Sequence, residues 1–273
     1  DKSSRLAAFR TGKVDVLSGL GLIDKQELES TNVEFENRWD MKNTPPALYM
    51  VASNPELPWY DKNVRHALQM AINREEINQG LYQGLGQIYY HPIAPGIEPG
   101  HVALETLPQS TQELFQYKPE KSKQLLAEAG YPNGFTAKII TRQADVDMVS
   151  LVKDYWQAIG VNLEIEVKEP GVWRSIVNGQ EQEEMVLGWA KSGRATALFA
   201  SMFRPNSYQN FALIDLPQNQ EVMRTALANQ LNWAKVAQAY IDFTPWYLDF
   251  ASVIQLPDAG QYTVWQPWVK DYH

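Results

Sequence analysis

The sequence predicts an α/β protein whose core is a parallel sheet with helices packed on it. Three observations carry that prediction. Between residues 136 and 189 the apolar period switches back and forth in the order β-α-β-α-β, and right-handed crossovers make such a run a parallel sheet. The helices are punctuated as helices should be, with capping side chains or proline at their starts and glycine past their ends. The chain has 273 residues, 44% hydrophobic and 21% charged, which suits one large domain or two small ones with a proper core.

The elements follow in order. Arg5 to Thr11 reads as a helix, Gly12 as its stop and Val14 to Leu17 as a short strand, with no lead-in. That abrupt opening suggests a piece of a longer chain, with any export signal lying upstream. "GLGLID" (19–24) lacks the third glycine of a dinucleotide loop and reads as a turn. "ALYMVAS" from Ala47 to Ser53 reads as a strand. Asp61 then caps a helix with Val64, Leu68 and Ile72 on one face. Asn73 and Glu76 resemble a capping box opening a second helix, which carries Ile77 and Leu81 and ends at Gly84 and Gly86. An irregular stretch, "HPIAPGIEPG", follows.

Pro119 and Gly130 bracket the next helix. "TAKIIT" (136–141) is a strand, and Asp145 to Ile159 a helix with Val149, Val152, Trp156 and Ile159 facing inward. "VNLEIEV" (161–167) alternates strictly, as a half-buried strand does. Val172 to Val177 is a short helix and Met185 to Trp189 a strand. After Phe211 come helices over Gln220 to Asn229 and Trp233 to Ile241, then an extended run, "PWYLDFASVIQL".

Composition excludes several functions. A net charge of −8 offers no basic field for nucleic acid. The absence of cysteine removes disulfides, thiolate metal sites and cysteine nucleophiles. No apolar run approaches the ~20 residues of a membrane span. His66, His91, His101 and His273 are scattered without metal-ligand spacing, so no metal and no cofactor is expected. No Gly-x-Ser-x-Gly elbow is present. Glu75/Glu76 and Glu183/Glu184 are adjacent pairs that diverge on a helix, unlike two acids facing across a cleft. No catalytic residue is assigned. Nine tryptophans and 13 tyrosines suit either flat-faced ligands or ordinary core.

One stretch stands apart. "MVLGWAKSGRATALF" (185–199) begins as a buried strand, ends it on Gly188 and Trp189, and then sets out Lys191, Ser192 and Arg194. In open parallel sheets ligands approach the carboxyl ends of the strands, so this segment emerges where sites form.

Several stretches together resemble one family. They are "RLAAFRTGKVDVLSGL", "DKNVRHALQMAINREEINQGLYQGLGQ", "YKPEKSKQLLAEAGYPNGF", "IGVNLEIEV" and the following "LGW". Their order and spacing are similar to those of the extracytoplasmic solute-binding proteins of family 5, which serve peptide and nickel ABC importers. The resemblance implies a type II, peptide-binding-cluster fold with a mixed, largely parallel sheet flanked by helices. It implies that residues 46–249 form the second of two lobes, that 1–45 are a remnant of the first, and that 250–273 return to it. The strands near Ala47–Ser53 and Trp246–Leu256 would then cross between lobes.

The resemblance also implies a function: passive capture of an oligopeptide or peptide-like solute by lobe closure, and delivery to an ABC permease. The protein would be a periplasmic or extracellular monomer, with lipid anchoring through an upstream segment. Candidate ligand-binding residues are Gly188, Trp189, Lys191, Ser192, Arg194, Tyr49, Trp246 and Tyr247, with Asn54 a weaker candidate. Peptide-binding relatives carry Gly-Trp-x-x-Asp at the strand end, the aspartate meeting the ligand's ammonium group; here the position is Ser192. With Lys191 and Arg194 beside it, the ligand would present an anionic or neutral group, unless both basic side chains simply face solvent. Rival readings from other classes are a hydrolase and a sensory or chaperone-like domain on the same α/β layer. The hydrolase would need a nucleophile or paired acids at the strand ends, where the sequence offers only Ser192.

Overall fold

The computed structural model describes residues 2–40, 45–91, 100–189, 204 and 207–272. Lys191, Ser192 and Arg194, and most of "HPIAPGIEPG", lie outside the described residues. The chain divides into two compact units, one of residues 1–42, 78–87 and 258–273 and a larger one of residues 43–77 and 88–257.

In the smaller unit, α1 (Lys2–Arg10), β1 (Val16–Leu20), α2 (Leu22–Glu29) and β2 (Glu36–Asp40) are joined by β8 (Gln261–Trp265) from the far end of the chain. β8 lies between β1 and β2 and is antiparallel to both, with Leu17 opposite Val264 and Trp39 opposite Tyr262. Leu6, Phe9, Leu17, Leu20, Leu28 and Val264 form its core. Two expectations are corrected here. The strand runs Val16–Leu20, and "GLGLID" opens a helix instead of ending in a turn. Asp24 turns back to accept from the Gly21 amide at 3.0 Å, so a polar side chain supplies a helix start that apolar period alone did not reveal.

The larger unit holds a five-stranded sheet of order β5-β4-β6-β3-β7. Its strands are β3 (Pro46–Met50), β4 (Phe135–Arg142), β5 (Val161–Lys168), β6 (Met185–Trp189) and β7 (Val253–Gln255). β4 runs parallel to β5 and β6, as the β-α-β-α-β run predicts, and β3 is antiparallel to both β6 and β7. The sheet is therefore mixed. The crossover helices are α7 (Val146–Gln157) and α8 (Pro170–Gly179), which bury Val149, Val152, Trp156, Trp173 and Val177.

The other α-helices among the described residues of this unit are α3 (Lys62–Met70), the start of α4 (Arg74–Tyr82), α5 (Gln109–Glu113), α6 (Pro119–Glu128), α9 (Pro217–Ala228) and α10 (Trp233–Phe250). Asp61 caps α3, accepting from the Asn63 amide at 2.7 Å, as expected. Asn73 accepts from the Glu76 amide at 3.2 Å, which is half of a capping box. Pro119 sits in the first turn of α6, and Gly130, at φ +93°, lies past its end.

The expected extended run "PWYLDFASVIQL" is overturned. Helix α10 continues through Pro245 to Phe250, and only Val253–Gln255 is strand. Proline removes one backbone donor, but Thr244 back-bonds to the Tyr240 carbonyl at 2.8 Å, and burial of Phe243, Tyr247 and Leu248 holds the helix across the break. No helix among the described residues is long and apolar enough to cross a membrane.

Candidate functional site

Because β4, β5 and β6 are parallel, Arg142, Lys168 and Trp189 end them on the same edge of the sheet. Helix α8 starts just past β5 and carries Trp173 inward from its first turn, 5% exposed. The Trp173 ring meets Trp189 edge-on at 5.4 Å and Phe211 edge-on at 5.9 Å. Phe211 in turn packs edge-on against Tyr49 at 5.1 Å. These pairs hold the strand end rigid, each adding about 0.5–1.5 kcal/mol beyond its buried area.

Gly188 is required by this packing and not by its backbone angles. A Cβ there would lie 2.7 Å from two carbons of the Phe211 ring and 3.3 Å from Tyr49. The residue makes room for Phe211, which supports Trp173.

Arg142 lies across Trp189, its guanidinium carbon 3.5 Å from the ring centroid and 5.6 Å from that of Trp173. Asp145 fixes it from the side, with Oδ2 accepting from Nε at 2.9 Å and from Nη2 at 2.6 Å. The strand-to-helix turn thus supplies both the cation and its holder.

Beside this cluster is a cavity of about 330 Å³, with Trp173, Trp189, Phe211, Tyr208, Arg174 and Asn178 in its wall. Among the described residues no carboxylate lines it. The Trp173 indole N–H is buried and has no acceptor among the described residues. A donor left in that state costs about 1–3 kcal/mol, which a ligand acceptor would offset.

The other candidates are placed differently. Tyr49 and Tyr247 are interior, 2% and 3% exposed, in the core under α10. Burial pushes both phenols well above their usual range, Tyr49 further through its proximity to Tyr247, while the neighbouring Gln255 amide pulls Tyr247 the other way. Trp246 is half-buried, stacked on Phe250 at 5.2 Å and tilted on Phe243 at 5.0 Å. It lines a second groove, of about 800 Å³, together with Val222, Thr225 and Phe243 of α9 and α10. Asn54 accepts from the Glu56 amide at 3.0 Å and so closes its own turn. The structure brings Gly188 and Trp189 together with Arg142, Asp145, Trp173 and Phe211, which sequence reasoning missed. The available signal was an arginine three residues before an aspartate at a strand-to-helix junction.

Known proteins match this chain in sequence and in shape. The sequence model described as bacterial extracellular solute-binding proteins, family 5 Middle, matches residues 1–211. The chain is 26% identical over 198 residues to Heme-binding protein A of Haemophilus influenzae, covering 70% of this chain and 34% of that protein. It is 24% identical over 286 residues to glutathione-binding protein GsiB of Shigella flexneri, covering 98% of this chain and 50% of that protein. In shape it is similar to the periplasmic binding protein DppA from Helicobacter pylori, solved with the peptide STSA. That match has a TM-score of 0.75 and 20% identity over 100% of this chain and 52% of that one. The chain thus spans half or less of the curated relatives named here. The fold is that of the type II periplasmic binding proteins.

Proposed function

The chain belongs to the bacterial extracellular solute-binding proteins of family 5, and from that premise we propose that it is part of the binding component of an ABC importer. It captures an extracytoplasmic solute, an oligopeptide or peptide-like molecule, by lobe closure and hands it to a membrane permease. No bond is made or broken. The larger unit contributes the second lobe, and the smaller unit belongs to the first. The protein works as a monomer in the periplasm or outside the cell, with a lipid anchor. The observation that carries this reading is the family match over residues 1–211.

The site supports the reading in physical terms. An aromatic-walled cavity at the carboxyl ends of parallel strands is where open α/β sheets take ligands. Relatives named for heme and for glutathione, and a structural neighbour holding a peptide, set the range of solutes. Closure draws its free energy from contacts made only in the closed state.

Mass spectrometry of small molecules that co-purify with the protein tests the proposal. A defined solute, released on denaturation and rebound in calorimetry without chemical change, is the expected result. Turnover of ester or peptide substrates, or a protein that carries and rebinds nothing, would overturn it.

A further inference from the structure

We infer that the site at the carboxyl ends of β4 and β6 selects a solute bearing an anionic group, a carboxylate above all, and that Arg142 sets this selection. The inference rests on the solute-binding reading of the site and adds the charge of the solute to it.

The site is a set of donors short of acceptors. Asp145 engages Arg142 side-on, through Nε and Nη2. The end-on edge of the guanidinium, Nη1 with the far side of Nη2, has no acceptor among the described residues, and the side chain is 26% exposed. The same edge is the one a carboxylate takes in a bidentate pair. Arg142 is held twice over, by Asp145 and by the Trp189 face at 3.5 Å. Its ordering entropy is therefore already spent before a ligand arrives. The buried Trp173 N–H is a further donor without a partner among the described residues, and Arg174 in the cavity wall adds a second guanidinium.

Charge points the same way. The carboxylate paired with Arg142, Asp145, is already shared with it, and no carboxylate lines the cavity among the described residues. An ammonium group in the cavity would meet the Arg174 guanidinium in its wall and that of Arg142 across Trp189, with no lining acid among the described residues to receive it. A carboxylate is acceptor-only and suits the open end-on edge of Arg142. Trp173, Trp189 and Phe211 then receive the solute's apolar part.

The test is an NMR titration of the full chain with three matched probes: N-acetylphenylalanine, its neutral amide, and cationic phenylalanine amide. The indole N–H signals of Trp173 and Trp189 report on the cavity. The acid is expected to shift both and to bind about ten-fold or more tightly than the neutral amide. The cation is expected to bind weakest. Arg142→Gln should bring the acid-to-amide ratio near one, Arg142→Lys should keep part of it, and Asp145→Asn should leave the acid preferred. Should Arg142→Gln fail to fold, salt decides on the native chain: acid binding must weaken with ionic strength and amide binding must not.

An amide that binds as well as the acid, or a preference that survives Arg142→Gln, overturns the inference and leaves solute binding intact. Probes that never touch the two indole signals overturn the site assignment. A co-purified solute that proves cationic overturns the charge selection alone. A protein that carries no solute at all overturns the function, while the probe ratio still decides the role of Arg142.

Discussion

The two sides of the five-stranded sheet use the same kind of residue to opposite ends. On the parallel side, β4 finishes on Arg142 and β6 on Trp189, and Trp173 leans in from α8, so aromatic rings border a cavity. On the antiparallel side, β3 and β7 lie under α10, and Tyr49 and Tyr247 are sealed in the core. The difference is one of cover. A parallel crossover lifts its helix over the sheet face and leaves the carboxyl edge open. Helix α10 instead delivers the chain directly into β7 and closes the face over β3.

The parallel side depends on close backbone approach at its other edge, and breaking that gives the largest effect. Gly134 precedes β4 at φ +73°, and a Cβ on it would drive into the Gly160 carbonyl. Backbone cannot yield as a side chain does, and a left-handed angle adds strain for any other residue. Gly134→Ala should cost several kcal/mol, more than about 3, and is expected to abolish the cooperative thermal transition followed by circular dichroism. A variant that melts like the parent would mean that the β4–β5 pairing tolerates a wider gap.

Gly188 sits at the seam between the two sides, opposite Ala47 of β3. Gly188→Ala pushes on the Phe211 ring, which is movable, so overpacking of about 1–3 kcal/mol is expected. Calorimetric melting should read that loss. The indole signals of Trp173 and Trp189 should shift with it, because Phe211 touches both Trp173 and Tyr49. Movement of the Tyr49 environment alone would place the strain on the antiparallel side.

How much of this was legible depends on how far each signal reaches along the chain. The run from 136 to 189, the Asp61 cap and the Gly188–Trp189 strand end are local patterns, and the structure places them where the sequence does. Trp173 falls inside a segment read simply as a short helix, because nothing local says which face meets Trp189. Arg142 falls just past the strand read over 136–141, and only the fold lays it over a ring. The run from Pro245 reads as extended, whereas α10 continues because burial at Phe243, Tyr247 and Leu248 outweighs one lost hydrogen bond. The smaller unit gathers segments from both ends of the chain, through β8 between β1 and β2 and the Gln87–Asp258 bridge. No periodicity within a window could join them.

A smaller effect tests the cover itself. Helix α10 is anchored at its end by α3: Arg65 donates to the Phe250 carbonyl at 2.6 Å, and His66 Nε2 donates to the Asp249 carbonyl at 2.6 Å. Burial lowers the His66 pKa, with Lys62 and Arg65 adding to the shift and Asp249 opposing it. The folded state therefore resists protonation that the unfolded chain accepts near pH 6.5. The resulting stability is present in full above about pH 6.5 and is lost as pH falls through the lower folded value. Denaturation midpoints measured from pH 7.5 to pH 5 should fall, and His66→Gln should flatten the slope. A slope unchanged by the substitution would put the loss on other groups.

The smallest expected effect separates the two sides most cleanly. The Tyr49 hydroxyl is buried with no hydrogen-bond partner among the described residues, while the ring packs on Phe211. Removing a buried, unsatisfied hydroxyl leaves the packing and deletes a desolvated group, so Tyr49→Phe should change stability by no more than about 1 kcal/mol, toward greater stability. Sequence reasoning placed Tyr49 among the ligand contacts, and a contact made through its hydroxyl would behave otherwise, losing solute affinity at unchanged stability. Melting and probe titration of the same variant distinguish these outcomes. Unchanged binding with an equal or higher melting point assigns Tyr49 to the sealed side, as the buried ring implies. Weakened binding would mean that the cover over β3 opens when solute arrives, and that the open and sealed sides of the sheet exchange roles during capture.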